Sequence, residues 1–75
     1  MEKKLLEANE ALKSKKYDEA ILIYQEILKT NDVAEIHFNL GLVLKIQNKL
    51  DAAEASFSKA ISLKSDFLLA HYQLG

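Results

Sequence analysis

The chain has 75 residues, no cysteine and no proline, and ten basic side chains set against eleven acidic ones give a formal net charge of −1. This length allows one small domain, and the lack of cysteine excludes a disulfide framework and a thiolate metal site. Every basic residue is a lysine, so no arginine can hold phosphate with a bidentate fork, and no nucleic-acid partner is expected.

The first seven residues, MEKKLLE, carry charges on both sides of two leucines. This is not the pattern of a secretory signal peptide. No aliphatic run in the sequence approaches the length needed to cross a membrane. We therefore expect a protein of the cytoplasm that has no membrane partner.

Long helices are expected along the whole chain, because it lacks proline and has only two glycines. The breaks between helices must then fall in polar clusters, which stand at residues 14–16, 30–32, 47–49 and 64–66. The spacing of these clusters predicts helices at about residues 2–14, 17–30, 33–47, 51–64 and 67–75.

Some of the predicted helix ends carry recognisable signals. Asp32 is followed three residues later by Glu35, and Asp51 by Glu54. This spacing is typical of a reciprocal cap, in which two side chains satisfy free N–H groups of the first helical turn. Asn48 tolerates a positive φ, so it is well suited to end the third helix.

Two of the predicted helices carry the same apolar pattern, with spacings of three and four residues that give each helix one buried stripe. The stripe of the second helix consists of Tyr17, Ala20, Ile21, Tyr24, Ile27 and Leu28, and that of the fourth of Leu50, Ala53, Phe57, Ala60 and Ile61. The two stripes superimpose when Tyr24 is aligned with Phe57, and the phrase HFNLG at 37–41 returns as HYQLG at 71–75 with a shift one position longer. A period of about 34 residues with two helices in it is typical of a stacked helical-repeat array.

The second repeat resembles the tetratricopeptide repeat family, through the pattern formed by His37, Leu40, Gly41, Leu44, Ala53, Phe57 and Ala60. The first repeat is looser, with Ala8 at the place of the glycine. Histidine replaces the family's usual tryptophan, and Asp32 and Ser65 stand where its closing proline would be. An unrelated bundle of four or five helices is the alternative.

The resemblance implies an all-α fold, a right-handed superhelical array of antiparallel helix pairs within a single domain. The first repeat would span about residues 1–33 and the second about 34–67, followed by a partial third at about 68–75. Small residues would let paired helices approach closely while aromatic rings fill the space beside them. The expected packing residues are Ala8, Ala20, Tyr24, Leu40, Gly41, Ala53, Phe57, Ala60, Leu74 and Gly75.

The third helix has a second apolar stripe, formed by Phe38, Leu42 and Ile46, beside the stripe of His37, Leu40, Gly41 and Leu44. In the architecture that the resemblance implies, this second stripe faces a concave groove that binds a peptide segment of a partner protein. The expected groove residues are Leu5, Asn9, Leu12, Glu35, Phe38, Asn39, Leu42, Lys45, Ile46 and Tyr72.

A different function remains open, since exposed apolar surface is often covered by further protein. The residues after Asp66 are uncharged and mostly apolar, which makes them a poor cap for an array. The chain would then be part of a longer array, or a structural self-assembly unit whose apolar helix faces form a homo-oligomer. The sequence does not identify the partner.

Other kinds of site have weak support. Some members of the family clamp a C-terminal carboxylate, and Asn9 and Asn39 match two clamp positions, but Leu5 stands where a lysine is needed. His37 and His71 lie one repeat apart without a third ligand, so no metal site is expected. No activated nucleophile and no phosphate loop are recognisable, and we expect neither enzymatic activity nor a cofactor.

Overall fold

The computed structural model describes residues 2–74, with Met1 and Gly75 outside the described range and only the backbone described for Leu74. This part of the chain contains five α-helices and no strand: α1 Glu2–Lys13, α2 Tyr17–Thr30, α3 Ala34–Ile46, α4 Leu50–Leu63 and α5 Leu68–Leu74. The five predicted helices and the all-α fold class are therefore confirmed, with shifts of only one residue at most ends.

Each helix packs mainly against its neighbours in the chain: α1 against α2, α2 against α3, α3 against α4, and α4 against α5. The loop between α2 and α3 covers residues 31–33, whereas the loop between α4 and α5 covers residues 64–67. The additional residue in the second loop explains why the shift between the two phrases is one position longer than the shift between the two stripes.

The turns within the two repeats have the same backbone geometry. Lys15 and Asn48, which occupy equivalent places in the two repeats, both adopt a positive φ, of 60° and 64°. In each turn the N–H group of the next residue donates to a carbonyl five residues back, from Lys16 to Ala11 at 2.8 Å and from Lys49 to Leu44 at 2.9 Å. This is the Schellman motif that ends many helices. The prediction for Asn48 is confirmed.

The predicted reciprocal caps at Asp32 and Asp51 were wrong. The N-terminal cap positions belong to Val33 in α3 and Lys49 in α4, and neither helix receives a side-chain capping bond. The Asp32 carboxylate instead contacts His37 and Lys59. Asp51 lies inside the first turn of α4, because that helix begins at Leu50. A carboxylate in the first turn is still favourable, since it faces the positive end of the helix dipole.

The main hydrophobic core joins α1, α2, α3 and α4. Its buried side chains are Ala8, Ala11, Ala20, Ile21, Tyr24, Ile27, Ile36, Leu40, Val43, Leu44, Ala53 and Phe57. The predicted stripe of α2 is buried here, with Tyr17 and Leu28 half-buried at its ends. Leu50 was wrongly placed in the buried stripe of α4, because more than half of its surface is exposed.

Ile36 and Val43 are among the most deeply buried residues, and the apolar pattern of α3 did not single them out. Together with Leu40 they form a stripe at spacings of four and three residues. We assign this stripe to the contact with α2, because α3 packs against both α2 and α4 and its Gly41 faces Phe57 of α4. A helix buried on two sides lacks the one-sided pattern that is easiest to recognise.

A second, smaller core holds α5 in place. Ala34, Ala60, Phe67 and Ala70 form this cluster, and the half-buried ring of Phe38 packs against both cores.

Candidate peptide-binding groove

The apolar side chains predicted for the groove differ in how far they are exposed. Phe38 and Leu42 on α3 are half-buried and pack against the main core. Ile46, one turn further along α3, leaves 59% of its surface exposed, and Tyr72 on α5 leaves 80%. Phe38 and Leu42 thus form a base that is fixed by the core, whereas Ile46 and Tyr72 are free to contact another molecule.

Phe38 has a structural role that the apolar pattern did not indicate. Its ring centroid lies 5.7 Å from that of Phe57 and 5.1 Å from that of Phe67, with tilted ring planes in both pairs. Aromatic pairs in this distance range stabilise a fold beyond the effect of burial alone. The ring therefore connects α4 with the segment that leads into α5, and its replacement would disturb packing as well as any groove.

The polar groove residues on α3 contact the neighbouring helices. Lys45 Nζ donates to Gln73 Oε1 at 2.8 Å, and Lys64 Nζ lies 3.5 Å from Glu35 Oε2. Both contacts are exposed, so each contributes little free energy. They do tie α3 to α5 and to the end of α4. Asn39 beside them is half-buried.

The α1 residues predicted for the groove also differ in how far their side chains are exposed. Leu5 and Leu12 are half-buried against the main core, and Asn9 is exposed. Gln47 Nε2, in the loop after α3, donates to Asp18 Oδ1 of α2 at 2.8 Å, which joins the two repeats at another point.

The residues predicted to pack are placed as follows. Ala8, Ala20, Tyr24 and Ala60 are fully buried, and Leu40, Gly41, Ala53 and Phe57 are buried as well. A Cβ atom built on Gly41 would lie 2.6 Å from Cε1 of Phe57, so the absence of a side chain lets the two helices approach. The predictions for Gly75 and for the side chain of Leu74 fall outside the described residues.

Both histidines take part in loop contacts, although the His37 side chain is only 14% exposed. His37 Nε2 lies 2.7 Å from Asp32 Oδ1, and Lys59 Nζ lies 3.9 Å from Asp32 Oδ2. The hydrogen bond with His37, aided by the charge of Lys59, lowers the pKa of the Asp32 carboxyl below its ordinary value. His71 is exposed, and its Nε2 lies 2.9 Å from the backbone oxygen of Ser65. The two rings thus hold the loops that precede their own helices.

Clefts also lie outside the predicted groove and at its edge. One of about 410 Å³ runs between α1 and α2 over Leu6, Ala11 and Ile23, with charged side chains around it. A smaller one of about 150 Å³ lies where α3, α4 and α5 meet, between Lys45, Leu50, Phe57 and Gln73. Leu50 is half-exposed and lines this second cleft. In the sequence it falls in the apolar stripe of α4, so its spacing predicted burial and gave no sign of the cleft.

Across residues 2–74, no three side chains of the metal-binding types come together. None of the helices in that range combines the length and the apolar character required to cross a membrane.

Antiparallel helix pairs recur along the chain, and alanines and one aromatic ring pack between the helices of each pair. This arrangement defines a helical-repeat protein. The family profile described as "Tetratricopeptide repeat" matches residues 34–67. Residues 34–67 therefore match a tetratricopeptide repeat.

A relative among known proteins has the same kind of repeat. The chain is 27% identical over 66 residues to the TPR repeat-containing protein MJ1345 of Methanocaldococcus jannaschii, an alignment that covers 88% of this chain and 21% of that protein. The chain thus spans about a fifth of the relative's length. Repeats of this family are in general modules for protein–protein interaction, without catalytic activity of their own.

Proposed function

We propose that the chain is an interaction module that binds a peptide segment of a partner protein along the groove formed by α1, α3 and α5. The observation that carries this proposal is the gradient of exposure along one side of α3 and α5. Phe38 and Leu42 are anchored in the core, while Ile46, one turn further along α3, and Tyr72 on α5 are mostly exposed. Large exposed apolar side chains on a fixed base are typical of a surface that recognises a partner.

The chemistry of the groove indicates the kind of peptide. Its polar side chains, Asn9, Asn39 and Lys45, lie among the apolar ones and can bond to backbone groups of a bound segment. We expect a helical or extended segment with two apolar anchor residues and a polar backbone contact near Lys45. Because Lys45 already contacts Gln73, a bound carbonyl or carboxylate would compete for its Nζ.

This proposal includes the organisation and setting of the chain. Residues 1–33 and 34–67 form two repeats of one domain, and the segment after them begins a third. The module has no catalytic activity, and it works in the cytoplasm. The near balance of lysines and carboxylates supports a protein partner over a nucleic acid, which would favour a basic surface.

The test uses short peptides selected from a displayed library on the folded chain and then synthesised. Ile46→Lys should weaken the binding of a selected peptide by about tenfold or more, because a charge replaces an apolar contact worth roughly 1.4 kcal/mol. Calorimetry would measure affinity, and circular dichroism would check helix content. Leu22→Lys on α2 is the matched control, since Leu22 is exposed to a similar degree, 63% against 59%.

The control variant should bind the peptide as the original chain does. Equal affinity in the original chain and in Ile46→Lys would contradict the proposed groove. So would an equal loss in both lysine variants, or a library that yields no peptide at all.

A further inference from the structure

The two ends of the helix stack have opposite chemistry. On α3, the stripe of Ile36, Leu40 and Val43 is buried in the main core. The equivalent residues of α1 in the first repeat are Lys3, Glu7 and Glu10, and all three are exposed. A helix that stacked on α1 as α2 stacks on α3 would have to bury three charges, which costs several kcal/mol for each unpaired ion. The α1 end is therefore unsuited to apolar stacking.

The outer face of α5 is apolar by contrast. It consists of Leu68, Leu69 and Tyr72, which lie within about one third of the helix circumference, opposite the fully buried Ala70. Leu68 is 78% exposed and Leu69 61%. The helix carries no Asp, Glu, Lys or Arg among residues 68–73.

The molecule itself contains a covered version of this face. Ala34 and Phe38 on α3 are the counterparts of Leu68 and Tyr72 on α5 in the repeated pattern. Both are covered by residues in and just before α5, because Ala34 shares a cluster with Phe67 and Ala70, and the Phe38 ring lies 5.1 Å from that of Phe67. The part of this face formed by Leu68 and Tyr72 is therefore a surface on which following residues pack, whereas the counterpart of Leu69 is the exposed Glu35.

We propose that the α5 face binds the α5 face of a second copy of this chain, so that two copies form a dimer about a two-fold axis. A two-fold contact needs a surface that complements itself. The α5 face satisfies this condition, because two uncharged faces bring no like charges together. A head-to-tail contact would place the α5 face against Lys3, Glu7 and Glu10 and leave those charges without water.

The area of the face sets the strength of the contact. A standard interface buries about 800 Å² on each partner. Three exposed side chains, extended by Leu50 in the neighbouring cleft, supply less than that. We therefore expect a dimer with a dissociation constant in the range of about 10 to 1000 µM.

Sedimentation or light scattering on the 75-residue chain, over a concentration series through that range, tests the proposal. The mass should rise from 8.5 kDa to twice that value and then stop. In the double variant Leu68→Lys with Leu69→Lys, the dimer should be lost while helix content stays the same. Leu22→Lys is the control for an exposed apolar residue elsewhere, and it should dimerise as the original chain does.

Three outcomes would overturn the proposal. The chain could stay at 8.5 kDa up to about 1 mM. Its mass could grow past the dimer and fall with Leu6→Lys on α1, which would indicate head-to-tail stacking. Dimerisation could also persist in the double variant, which would place the contact on another surface. Tyr72 belongs to both the α5 face and the groove, but the substituted residues Leu68 and Leu69 are not groove residues, so the Ile46 test of the groove is independent of these outcomes.

Discussion

Gly41 determines how closely α3 approaches α4. A Cβ atom at this position would lie 2.6 Å from Cε1 and 2.8 Å from Cδ1 of Phe57, closer than carbon atoms pack. The Phe57 ring is only 2% exposed and lies near the Phe38 ring, so it has little room to move. The first repeat carries Ala8 and Tyr24 at the equivalent positions. The strict need for glycine thus belongs to the second repeat.

Gly41→Ala should lower the free energy of unfolding. Overpacking a core costs about 1–3 kcal/mol, and the better helix propensity of alanine returns about 1 kcal/mol. We expect a net loss of about 1 kcal/mol in urea unfolding. In a Phe57→Leu background, where the ring is absent, the same change should be neutral or stabilising. Equal losses in the two backgrounds would show that the clash with Phe57 is not the cause.

Tyr24 also differs from the residue at the equivalent position of the other repeat. It is fully buried, and its hydroxyl has no hydrogen-bond partner among the described atoms. The equivalent residue in the second repeat is Phe57, which has the same shape without the hydroxyl. Leaving a buried hydroxyl without a partner costs about 1–3 kcal/mol. Burial also raises the pKa of the Tyr24 hydroxyl above its ordinary value.

Tyr24→Phe should therefore raise the free energy of unfolding by about 1 kcal/mol at neutral pH. Burial raises the pKa of Tyr24 in the folded state, so the fold favours the neutral form of its hydroxyl. The resulting stability is fully present below a pH of about 10 and is lost as the pH rises through the folded-state pKa. The variant should lose less stability on that alkaline side. Thermal unfolding at several pH values measures both effects. Tyr17→Phe, at a half-buried position, should leave the free energy of unfolding at neutral pH unchanged, and a gain there equal to that of Tyr24→Phe would contradict the explanation.

Among the elements, the two Schellman turns invite a comparison within one chain. Lys15 and Asn48 occupy the same left-handed position, but asparagine adopts it readily whereas lysine is strained there by about 1–2 kcal/mol. Both N–H groups donate to the helix end in the same way, Lys15 at 3.0 Å and Asn48 at 2.9 Å. The difference in strain should therefore be measurable by substitution.

Lys15→Gly should stabilise the fold by about 0.5–1 kcal/mol, because glycine adopts a positive φ without steric cost and this gain exceeds its greater entropy in the unfolded chain. Asn48→Gly should gain less. Urea unfolding of both variants gives the comparison, with Lys16→Gly as the control at a residue whose φ is −90°. A gain at residue 16 equal to that at residue 15 would refute the explanation by strain.

At the scale of the whole molecule, the sequence predicted what depends on regular spacing. The helix bounds followed from polar breaks, and the Ala20–Tyr24 and Ala53–Phe57 pairs followed from the repeat. Sequence spacing did not predict the features that depend on which residues lie close together in three dimensions. Asp32 bonds to His37 because the loop brings its carboxylate to the ring, and the rival interaction with a helix terminus has similar energy.

The candidate groove was predictable only in outline, for a related reason. Residue type and spacing place Phe38, Leu42 and Ile46 on one side of α3, but spacing does not reveal how much of each the neighbouring helices cover. Phe38 was covered by Phe67, which lies in a loop segment and so belongs to no periodic stripe. Exposure is a property of the assembled stack.

Packing mainly between neighbours in the chain also bears on how such a protein changes in evolution. A tandem duplication of one helix pair with its loops would create a single new interface of a type the molecule already has, and it would leave the other interfaces as they are. Loss of a unit would likewise remove one interface. The number of repeats can therefore vary among descendants without a redesign of the core, and new binding specificity can arise in one copy while another keeps the old one.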